Sequence, residues 1–396
     1  MSNLKIFSEN IKINNKRVIV RLDLNVPISK SSIEDSTRIE IIEPFIKQLI
    51  EKKAKIILIS HLGRPKGKVV KELSLNPIFD YLQKSLNTKV YFYKDNIDQK
   101  AIDASNNLKQ GEVLLIENIR FFKEEEDDNE NFAKNLSKLG DFFINEAFSC
   151  SHRRQASLHK ITNYIDSYGG PLLDKETQSI NLIIKNKKEP VTSIIGGSKV
   201  STKINVLLNL SKNTNNLIIV GAMANNFLKF NGYNVGASLL EKGTEDIIKS
   251  IYSSSEKNNC NVIIPIDCIV SNNLNGLPKP KTLNEIKSED IILDIGEKTI
   301  ELINKTVELS KTVFWNGPAG YFENKNFSKG TLSIAKKISS DTDTKSLISI
   351  VGGGDTIAAL KNVEFRKVFT HLSTAGGAFL ESIEGKELPG IKVLKK

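Results

Sequence analysis

Ten short apolar runs recur along the chain, and most are apolar throughout instead of alternating with polar positions. They lie at 17–22, 56–60, 113–117, 141–144, 191–195, 217–221, 262–266, 291–295, 312–315 and 347–352. Helix-length segments separate many of these runs. Near-continuous apolar strands that alternate with helices are typical of parallel sheets covered on both faces. The pattern predicts an α/β protein with doubly wound parallel sheets.

A helix is predicted in the middle of the chain. The segment 169–171, Gly-Gly-Pro, interrupts the preceding structure, and residues 173–184 then carry apolar positions at helical spacing before Pro190. We interpret 171–188 as a helix that joins two α/β domains. An ordinary surface helix within one domain is the alternative.

Length and composition indicate a globular protein. A chain of 396 residues is long for one core and predicts two domains of roughly 150 to 200 residues each. The 39% hydrophobic and 26% charged residues are close to globular averages. No apolar run reaches the roughly 18 residues that a membrane helix needs, and residues 1–17 lack the features of a secretory signal. We expect a cytoplasmic protein with no membrane association.

The charge and the cysteines exclude some classes of function. The net charge of +10 does not indicate nucleic-acid binding, because the lysines are spread along the chain and mixed with 46 acidic residues. The acidic stretch 123–130, KEEEDDNE, is predicted to be a solvated loop. Cys150, Cys260 and Cys268 are scattered and form no CxxC pair, so their spacing indicates neither a disulfide framework nor a zinc site. Reduced thiols are expected.

The arginines are more informative than the total charge. Only eight are present, against 48 lysines, and seven of the eight lie before residue 155. They are Arg17, Arg21, Arg38, Arg64, Arg120, Arg153, Arg154 and Arg366. Where lysine supplies most of the surface charge, the few arginines are candidates for sites that need a planar, bidentate donor to phosphate or carboxylate. The first half of the chain therefore resembles an anion site.

Polar residues follow the first four apolar runs. They are 23–27, the pair His61 and Arg64, 117–120, and 145–157. Ligands of open α/β sheets bind beyond the carboxyl ends of the strands, so these residues are candidate ligands. For any one of them a surface salt bridge or a structural cap is the alternative, and their shared placement favours a binding site.

Arg38 opens a predicted helix in the stretch STRIE, where Ser36 or Thr37 could cap and the positive helix end would add to the field of the guanidinium. Four arginines that converge from separate loops would suit a doubly charged phosphate together with a carboxylate. Asp23 and Asn25 could accept hydrogen bonds from a hydroxyl of the same ligand.

Four glycine-rich turns in the second half predict contacts to phosphate. They are 194–203 (IIGGSKVSTK), 315–323 (WNGPAGYFE), 351–358 (VGGGDTIA) and 373–377 (STAGG). Glycine lets backbone N–H groups approach phosphate where a helix begins. Lys199 and Lys203 are predicted to share one helical face. A P-loop motif is absent and GGGDTI fails the GxGxxG pattern, so a P-loop enzyme and an NAD-dependent oxidoreductase are disfavoured.

Eight motifs, spread over nearly the whole chain, resemble the phosphoglycerate kinase family. They are RLDLNVP (21–27), STRI (36–39), SHLGRP (60–65), ENIRF (117–121), GGSKVSTKI (196–204), WNGPAGYFE (315–323), GGGDT (352–356) and HLSTAGGA (371–378). The resemblance implies magnesium-dependent phosphoryl transfer between 1,3-bisphosphoglycerate and ADP, giving 3-phosphoglycerate and ATP, in glycolysis. It also implies a cytosolic monomer of two Rossmann-like domains joined by a hinge.

The resemblance assigns roles position by position. For phosphoglycerate it implies Asp23, Asn25, Arg38, His61, Leu62, Gly63, Arg64, Arg120 and Arg153. For the nucleotide it implies Gly197, Lys199, Lys203, Glu323, Gly353, Gly354, Asp355 and Thr356. Catalysis is assigned to Arg38, Lys203, Gly376 and Gly377, and the magnesium contact to Asp355.

The implied domains follow the same division. Residues 1–170 form the phosphoglycerate-binding domain, 171–188 the hinge helix, and 189–375 the nucleotide-binding domain. Residues 376–396 are expected to return to the N-terminal domain.

Several positions depart from the family pattern. In 145–157 they are Glu146 for a usual Asp, Ser149 and Cys150 for Gly-Thr, and Arg154-Gln155 for Ala-His. Ile292 stands where a glycine is common near the nucleotide base, Thr202 replaces a frequent Asp, and Ala375 replaces a glycine. We expect altered neighbouring contacts without loss of activity, because Arg153 is retained. A non-catalytic binding protein of the same fold remains the alternative function.

Overall fold

The computed structural model describes residues 4–29, 32–361 and 368–395; Arg366 lies outside these ranges. The chain divides into two compact units. Unit 1 comprises Met1–Thr177 and Glu387–Lys396, and unit 2 comprises Gln178–Lys386. Each unit contains a six-stranded parallel sheet, and the described part of the chain has no helix long and apolar enough to cross a membrane.

The sheet of unit 1 has the strand order β5-β6-β4-β1-β7-β8. Its strands are β1 (Arg17–Arg21), β4 (Lys55–Ile59), β5 (Val90–Tyr93), β6 (Val113–Ile116), β7 (Phe142–Asn145) and β8 (Asp166–Gly169), and β2 (Ile28–Ser29) with β3 (Ser32–Ile33) forms a separate ribbon. Alternate side chains of a strand enter two different cores: Val18 and Val20 pack on one face and Ile19 on the other. Burial on both faces explains why the strands are apolar throughout.

Helices cover both faces of this sheet. They are α1 (Thr37–Glu51), α2 (Asn76–Ser85), α3 (Gln99–Asn107), α4 (Lys123–Glu126) and α5 (Glu130–Ser137), with 3₁₀ turns at Lys71–Leu73, Ile119–Phe121, Phe148–Cys150 and Lys160–Asn163. The predicted solvated loop at 123–130 is wrong in part. Glu125 of α4 is fully buried. Its carboxylate accepts hydrogen bonds from the backbone N–H and the hydroxyl of Ser157 at 2.9 and 2.6 Å, and these bonds compensate for the lost contact with water.

Unit 2 has the strand order β11-β10-β9-β15-β16-β17 in its parallel sheet. The strands of unit 2 are β9 (Val191–Ile195), β10 (Asn216–Ile219), β11 (Asn261–Ile263), β12 (Asp267–Ser271), β13 (Lys279–Thr282), β14 (Ile291–Ile295), β15 (Thr312–Asn316), β16 (Ile348–Gly352) and β17 (His371–Ser373). Its helices are α7 (Ile204–Asn213), α8 (Ala224–Phe230), α9 (Glu245–Lys257), α10 (Glu297–Glu308), α11 (Lys329–Lys345), α12 (Gly354–Ala359) and α13 (Gly377–Ile383), with 3₁₀ turns at Leu283–Glu285 and Lys325–Phe327.

The fold-class prediction is confirmed, with one correction. Each of the ten predicted runs overlaps a strand, but the run 291–295 forms β14, which pairs antiparallel with β12 in a three-stranded sheet of order β13-β12-β14. Its apolar run is the same as that of a parallel strand, so the pattern could not separate the two. Strand β13 is exposed at three of its four residues and contains Pro280, as is typical of an edge strand.

Helix α6 (Pro171–Ile184) occupies the position of the predicted connecting helix, and the division between the units falls within it. The return of the chain to unit 1 begins at Glu387 instead of residue 376. Helix α13 packs within unit 2, where Asn209 of α7 donates to the carbonyl of Ile383. Only then does α14 (Pro389–Lys392) join unit 1, with Gly390 N–H donating to the carbonyl of Ser151 at 2.9 Å.

Candidate active site

The carboxyl ends of β1, β4, β6 and β7 bring charged side chains together in unit 1. Arg21, the last residue of β1, is fully buried, and its Nε donates to Ser157 Oγ at 3.0 Å. One of its terminal nitrogens lies 3.4 Å from Nδ1 of His61, which follows β4. Arg120 and Arg153, which follow β6 and β7, contribute to the electrostatic field at the same imidazole. The sequence expectation that separate strand ends converge therefore describes this edge of the sheet.

The surroundings of His61 favour the neutral form of its imidazole. Burial, together with the guanidinium groups of Arg21, Arg120 and Arg153, holds the pKa of His61 well below its ordinary value, although Asp23 opposes the shift. Arg21 can only donate, so the neutral tautomer that suits the 3.4 Å contact accepts at Nδ1 and carries its proton on Nε2.

Asp23 is the carboxylate of the cluster. Burial raises its pKa, but the His61 imidazole when it carries a charge, the guanidinium of Arg38 and the Ser149 hydroxyl outweigh burial and hold the pKa below its ordinary value. Arg38 and Ser149 both donate to Oδ2, and the backbone N–H of Asn25 donates to Oδ1 at 3.0 Å. The predicted cap of α1 is wrong: Asp35 Oδ1 accepts from Thr37 N–H at 2.9 Å, whereas Ser36 makes no capping hydrogen bond.

Arg120 carries an unpaired buried donor. One terminal nitrogen donates to the carbonyl of Gly63 at 2.9 Å, but Nε is buried and has no hydrogen-bond partner among the described residues. Burial and the neighbouring Arg21 and Arg153 lower the pKa of Arg120 to about 10, against opposing contributions from Cys150 and Glu126. A buried guanidinium with an unpaired N–H among other guanidinium groups is suited to an anion.

Neighbouring polar groups shape the loop that follows β4. Asn25 Oδ1 accepts from the N–H of Gly63 at 2.8 Å, and the side chain of Asn118 donates to the carbonyl of Leu62 at 2.8 Å. Gly63 has a φ of +62°, a conformation that glycine adopts readily. Arg64 is exposed and makes no hydrogen bond within the described ranges, which leaves its guanidinium available to a ligand.

The unusual positions of 145–157 have distinct surroundings. Ser149 donates to Asp23, and Cys150 lies beside His61. Arg153 is half-buried, with Nε 3.3 Å from a ring nitrogen of His152. Arg154 is exposed, 3.9 Å from the Asp128 carboxylate. The departures therefore alter the contacts around the site and leave Arg153 within it.

Glu146 and Gln155 complete the set of departures. The carboxylate of Glu146 accepts from Leu172 N–H at 2.9 Å and Leu173 N–H at 3.3 Å, in the first turn of α6. Burial, more than the nearby Asp174, raises the pKa of Glu146 to about 7. Gln155 is buried, and its Oε1 has no hydrogen-bond partner in the described part of the chain.

Sequence reasoning missed Glu125 because it lies in an acidic run. Burial raises its pKa, while Arg21 and the hydrogen bonds from Ser157 oppose the rise. Since Ser157 also accepts from Arg21 Nε, this carboxylate fixes the central arginine of the anion site through Ser157. No motif distinguishes Glu125 from its neighbours Glu124 and Glu126.

Unit 2 contains a cavity of about 380 Å³. Apolar side chains form much of its wall, among them Leu239, Ile292 and Tyr321, and the glycine-rich turns and three carboxylates supply much of the polar part. The lining includes the predicted residues Gly197, Glu323 and Asp355. Ile292, which stands where the family resemblance implies a glycine, lines this cavity, and its backbone N–H donates to Ser238 Oγ at 2.8 Å.

Lys203 lies beside this cavity. Its Nζ donates to the carbonyl of Gly196 at 2.6 Å and to Asn316 Oδ1 at 2.8 Å, both neutral acceptors. Burial lowers its pKa to about 8, although Asp355 opposes the shift. The prediction that Lys199 and Lys203 share a helical face is wrong, because α7 begins at Ile204, after a turn at 201–203, and Lys199 lies outside any helix. Lys199 is exposed.

The turn before α12 is held by polar contacts that the sequence did not reveal. Gly353 has a φ of +103°, and a Cβ there would lie 2.7 Å from Asn316 Nδ2. Thr356 Oγ1 accepts from Gly317 N–H at 2.7 Å and donates to the carbonyl of Gly352 at 3.0 Å. Thr356 therefore joins two glycine-rich turns, while Gly354 and Asp355 are exposed.

A second open turn precedes α13. Gly376 has a φ of +54°, and space is open around it and Gly377. Glu323, in the turn after β15, is exposed on the cavity. Asp355 offers a single exposed carboxylate, and this fits Mg²⁺, an ion that proteins often hold through one or two carboxylates together with phosphate oxygens of the substrate.

An α/β protein that gathers buried arginines around an anion site, and that places glycine-rich turns and a lysine around a cavity, has the features of a phosphotransferase. A family model described as phosphoglycerate kinase matches residues 8–386. The chain is similar to the phosphoglycerate kinase of Wolbachia pipientis wMel, with 42% identity over 390 residues and 98% of each chain covered. It is 43% identical over 384 residues to that of Bartonella bacilliformis, with 96% of each covered.

A solved structure of phosphoglycerate kinase from Coxiella burnetii superposes with a TM-score of 0.91, at 38% identity and with 98% of each chain covered. The chain belongs to the phosphoglycerate kinase family, and the resemblance found in its motifs is confirmed.

Proposed function

We propose that the protein catalyses reversible, magnesium-dependent phosphoryl transfer between 1,3-bisphosphoglycerate and ADP, giving 3-phosphoglycerate and ATP, as in glycolysis. Membership of the family supports this reaction. The observation that carries it at the level of residues is the buried guanidinium of Arg120, whose Nε has no hydrogen-bond partner among the described residues, beside Arg21, Arg153 and His61. That cluster needs a small anion to complete its hydrogen bonds.

Unit 1 holds the phosphoglycerate in this proposal. The phosphate and carboxylate of the ligand are bound by the guanidinium groups and His61, and its hydroxyl donates to Asp23. Arg38 has a further role, since its guanidinium is held by Asp23 at the start of α1 and can stabilise the charge that spreads over the transferred phosphoryl oxygens. The residues that bind directly are Asp23, Asn25, Arg38, His61, Leu62, Gly63, Arg64, Arg120 and Arg153.

Unit 2 holds the nucleotide in this proposal. The apolar wall around Leu239 and Ile292 suits a base, and Glu323 lies where a ribose hydroxyl could donate to it. The ammonium group of Lys203 would donate to a nucleotide phosphate in place of its present neutral acceptors, the Gly196 carbonyl and Asn316 Oδ1. The remaining phosphate contacts are Gly197, Lys199, Gly353, Gly354 and Thr356, with Gly376 and Gly377 offering N–H groups to the transferred phosphoryl.

Asp355 would hold Mg²⁺ together with the nucleotide phosphates, and the ion would supply charge neutralisation at those phosphates. The acceptor of the phosphoryl group is an anion in either direction, so no general base is needed. Positioning and charge stabilisation supply most of the catalysis of a loose phosphoryl transfer. Exclusion of water by the hinge motion that family membership implies would prevent hydrolysis.

We further propose that the protein acts as a monomer in the cytoplasm, with these small molecules as its partners and with neither nucleic acid nor membrane. The assay is ADP formation from ATP by the purified protein with Mg²⁺ and 3-phosphoglycerate. Turnover that requires all three components is expected. Binding of both ligands without turnover would instead support the non-catalytic alternative.

A further inference from the structure

One carboxylate on the wall of the unit 2 cavity takes no part in the proposed reaction. It belongs to Asp294 of β14, which is only 2% exposed. Its Oδ1 accepts from the backbone N–H of Ile295 at 2.9 Å, and its Oδ2 accepts from that of Gly330 at 2.8 Å. Asp294 therefore joins this strand to the first turn of α11.

The carboxylate caps α11 from outside the helix. Ser328, the residue before the helix, makes no capping hydrogen bond through its side chain. Asp294 Oδ2 instead accepts the N–H of Gly330, the second helical residue, as a capping side chain does. The partial positive charge at this end of a helix favours an anion. The ionised form of Asp294 therefore holds the first turn of α11 more strongly than the protonated form.

The first turn of α11 also holds the glycine-rich turn 315–323. Thr331 Oγ1 accepts from the N–H groups of Ala319 at 2.9 Å and Gly320 at 3.4 Å. A Cβ at Gly320 would lie 2.4 Å from Asp294 Oδ1, so this turn packs directly on the carboxylate. Asp294 thus supports the turn both by contact and through Thr331.

The end of the same turn forms part of the cavity wall. Tyr321 N–H donates to the carbonyl of Leu293, the neighbour of Asp294 in β14, at 2.7 Å. Tyr321 and Glu323 both line the cavity, and Glu323 is the acceptor proposed for a ribose hydroxyl. A change at Asp294 is therefore transmitted to groups that would contact a nucleoside.

Both protonation states of Asp294 are accessible near neutral pH. Burial raises its pKa to about 7, while the N–H groups of Gly330 and Ile295 and the ammonium of Lys329 oppose the rise. Lys329 is exposed and pairs with Glu297 of α10, so solvent screens its field. The other titratable groups on the elements beside Asp294 are Asp267 and Cys268 of β12 and Tyr321 and Glu323 of the turn.

We propose that Asp294 is a positioning residue of the nucleotide site: its ionised carboxylate fixes the turn 315–323 for the nucleoside, and its protonation weakens nucleoside binding. The inference rests on the proposed function, because the cavity is assigned there to the nucleotide. Asp294 acts through Gly330, Thr331 and the turn, and it needs no contact with the ligand.

The test is calorimetric titration of adenosine into the purified protein at several pH values from about 6 to 8, on either side of the pKa of Asp294. Adenosine carries no phosphate, so neither the titration of a phosphate, at about pH 6, nor its contact with Lys203 enters the measurement. We expect the affinity to rise about threefold or more over this range. Because binding favours the ionised form, it should release protons near pH 7, which makes the binding heat depend on the buffer.

Asp294→Asn should bind adenosine with the affinity that the wild type has at low pH, without pH dependence and without proton release. The amide keeps one acceptor oxygen but no charge. Asp343→Asn, at an exposed carboxylate near the other end of α11, is the matched control and should keep the wild-type profile. A merely structural role of Asp294 would instead lower the affinity equally at every pH.

A wild-type affinity that is flat across this range overturns the inference, and that measurement needs no substitution. A variant Asp294→Asn that follows the wild-type profile overturns it as well, since another group would then be titrating. ADP binding without adenosine binding would show that the cavity wall contributes little and would overturn the inference alone. If neither ADP nor adenosine binds, the proposed function itself is contradicted, and the inference with it.

Discussion

The proposed ligand sites of the two units are built from different chemical groups. Unit 1 uses buried side chains of strong charge: Arg21, His61 and Arg120 lie at strand ends with almost no exposure. Unit 2 uses a cavity with a largely apolar wall, backbone N–H groups of glycine-rich turns, and few charges, among them the partly buried Lys203. A small dianion offers little surface and must be recognised by charge, whereas a nucleotide offers a base that apolar surface can hold.

The difference predicts where substitutions act. In unit 1 the free-energy cost of burying the charged side chains is incurred when the protein folds. The loss of one arginine therefore leaves a charge of the ligand without a partner. In unit 2 much of the affinity comes from shape and backbone conformation, so a change of a single glycine can matter as much as the loss of a charge. Four variants test this contrast, from the largest expected effect on turnover to the smallest.

Arg38→Ala should lower kcat by about 10² to 10³-fold, because a donor aimed at transition-state charge is removed. The KM for 3-phosphoglycerate should change much less, since other arginines still bind the ground state. Steady-state kinetics measure both, and Arg154→Ala, at an exposed arginine, is the matched control. A variant with near-normal kcat would remove the transition-state role of Arg38.

Lys203→Ala should lower kcat/KM for ATP by about 10 to 100-fold, as expected for the loss of a charged hydrogen bond. The affinity for 3-phosphoglycerate should be nearly intact. Because burial lowers the pKa of Lys203 to about 8, the wild-type kcat/KM for ATP should fall as pH rises above that value, when the ammonium loses its proton. Lys212→Ala, at an exposed lysine of α7, is the control, and a wild-type profile flat to pH 10 would contradict the role of the ammonium.

Gly353→Ala should raise the KM for ATP by about tenfold. A positive φ costs an L-residue about 1 to 2 kcal/mol. The new Cβ would also lie 2.7 Å from Nδ2 of Asn316, the residue whose Oδ1 accepts a hydrogen bond from Lys203. Gly354→Ala lacks both the positive φ and the close contact and is the matched comparison. Equal effects of the two substitutions on KM would show that backbone conformation at Gly353 is not what matters.

Glu146→Gln should change turnover least, because this buried carboxylate contacts α6 and not a ligand. The folded protein keeps its proton up to about pH 7, against 4.5 as the ordinary value, so wild-type stability falls as pH rises between these values. The glutamine variant has no such proton. The unfolding free energy of the wild type minus that of the variant should therefore fall by up to about 3 kcal/mol as pH rises over that range. Denaturant unfolding at several pH values measures it, with the exposed Glu51→Gln as control; a constant difference would contradict the raised pKa.

The sequence predicted the parallel sheets because both faces of each strand are buried, as the alternation of Val18, Ile19 and Val20 shows. It could not predict the antiparallel pairing of β14, whose apolar run carries no information about its partner. It also placed the start of α7 too early. The spacing of Lys199 and Lys203 is helical, but the helix begins only at Ile204.

The candidate site was predictable where a residue type has a preferred chemistry. Arginines at strand ends and glycines before helices are rare enough to stand out. The supporting roles of Glu125, Asn118 and Asn316 were not predictable, because each acts through a hydrogen bond to a residue distant in sequence. The side-chain amide and the buried carboxylate that fix the loops have no signature of their own.

The division of labour between the units is tested most directly by calorimetric titration of 3-phosphoglycerate and of ADP into two variants, Arg120→Ala and Lys203→Ala. We predict that Arg120→Ala weakens 3-phosphoglycerate at least about tenfold and leaves ADP within about twofold, and that Lys203→Ala does the reverse. Equal loss of both ligands in either variant would contradict the assignment of one ligand to each unit.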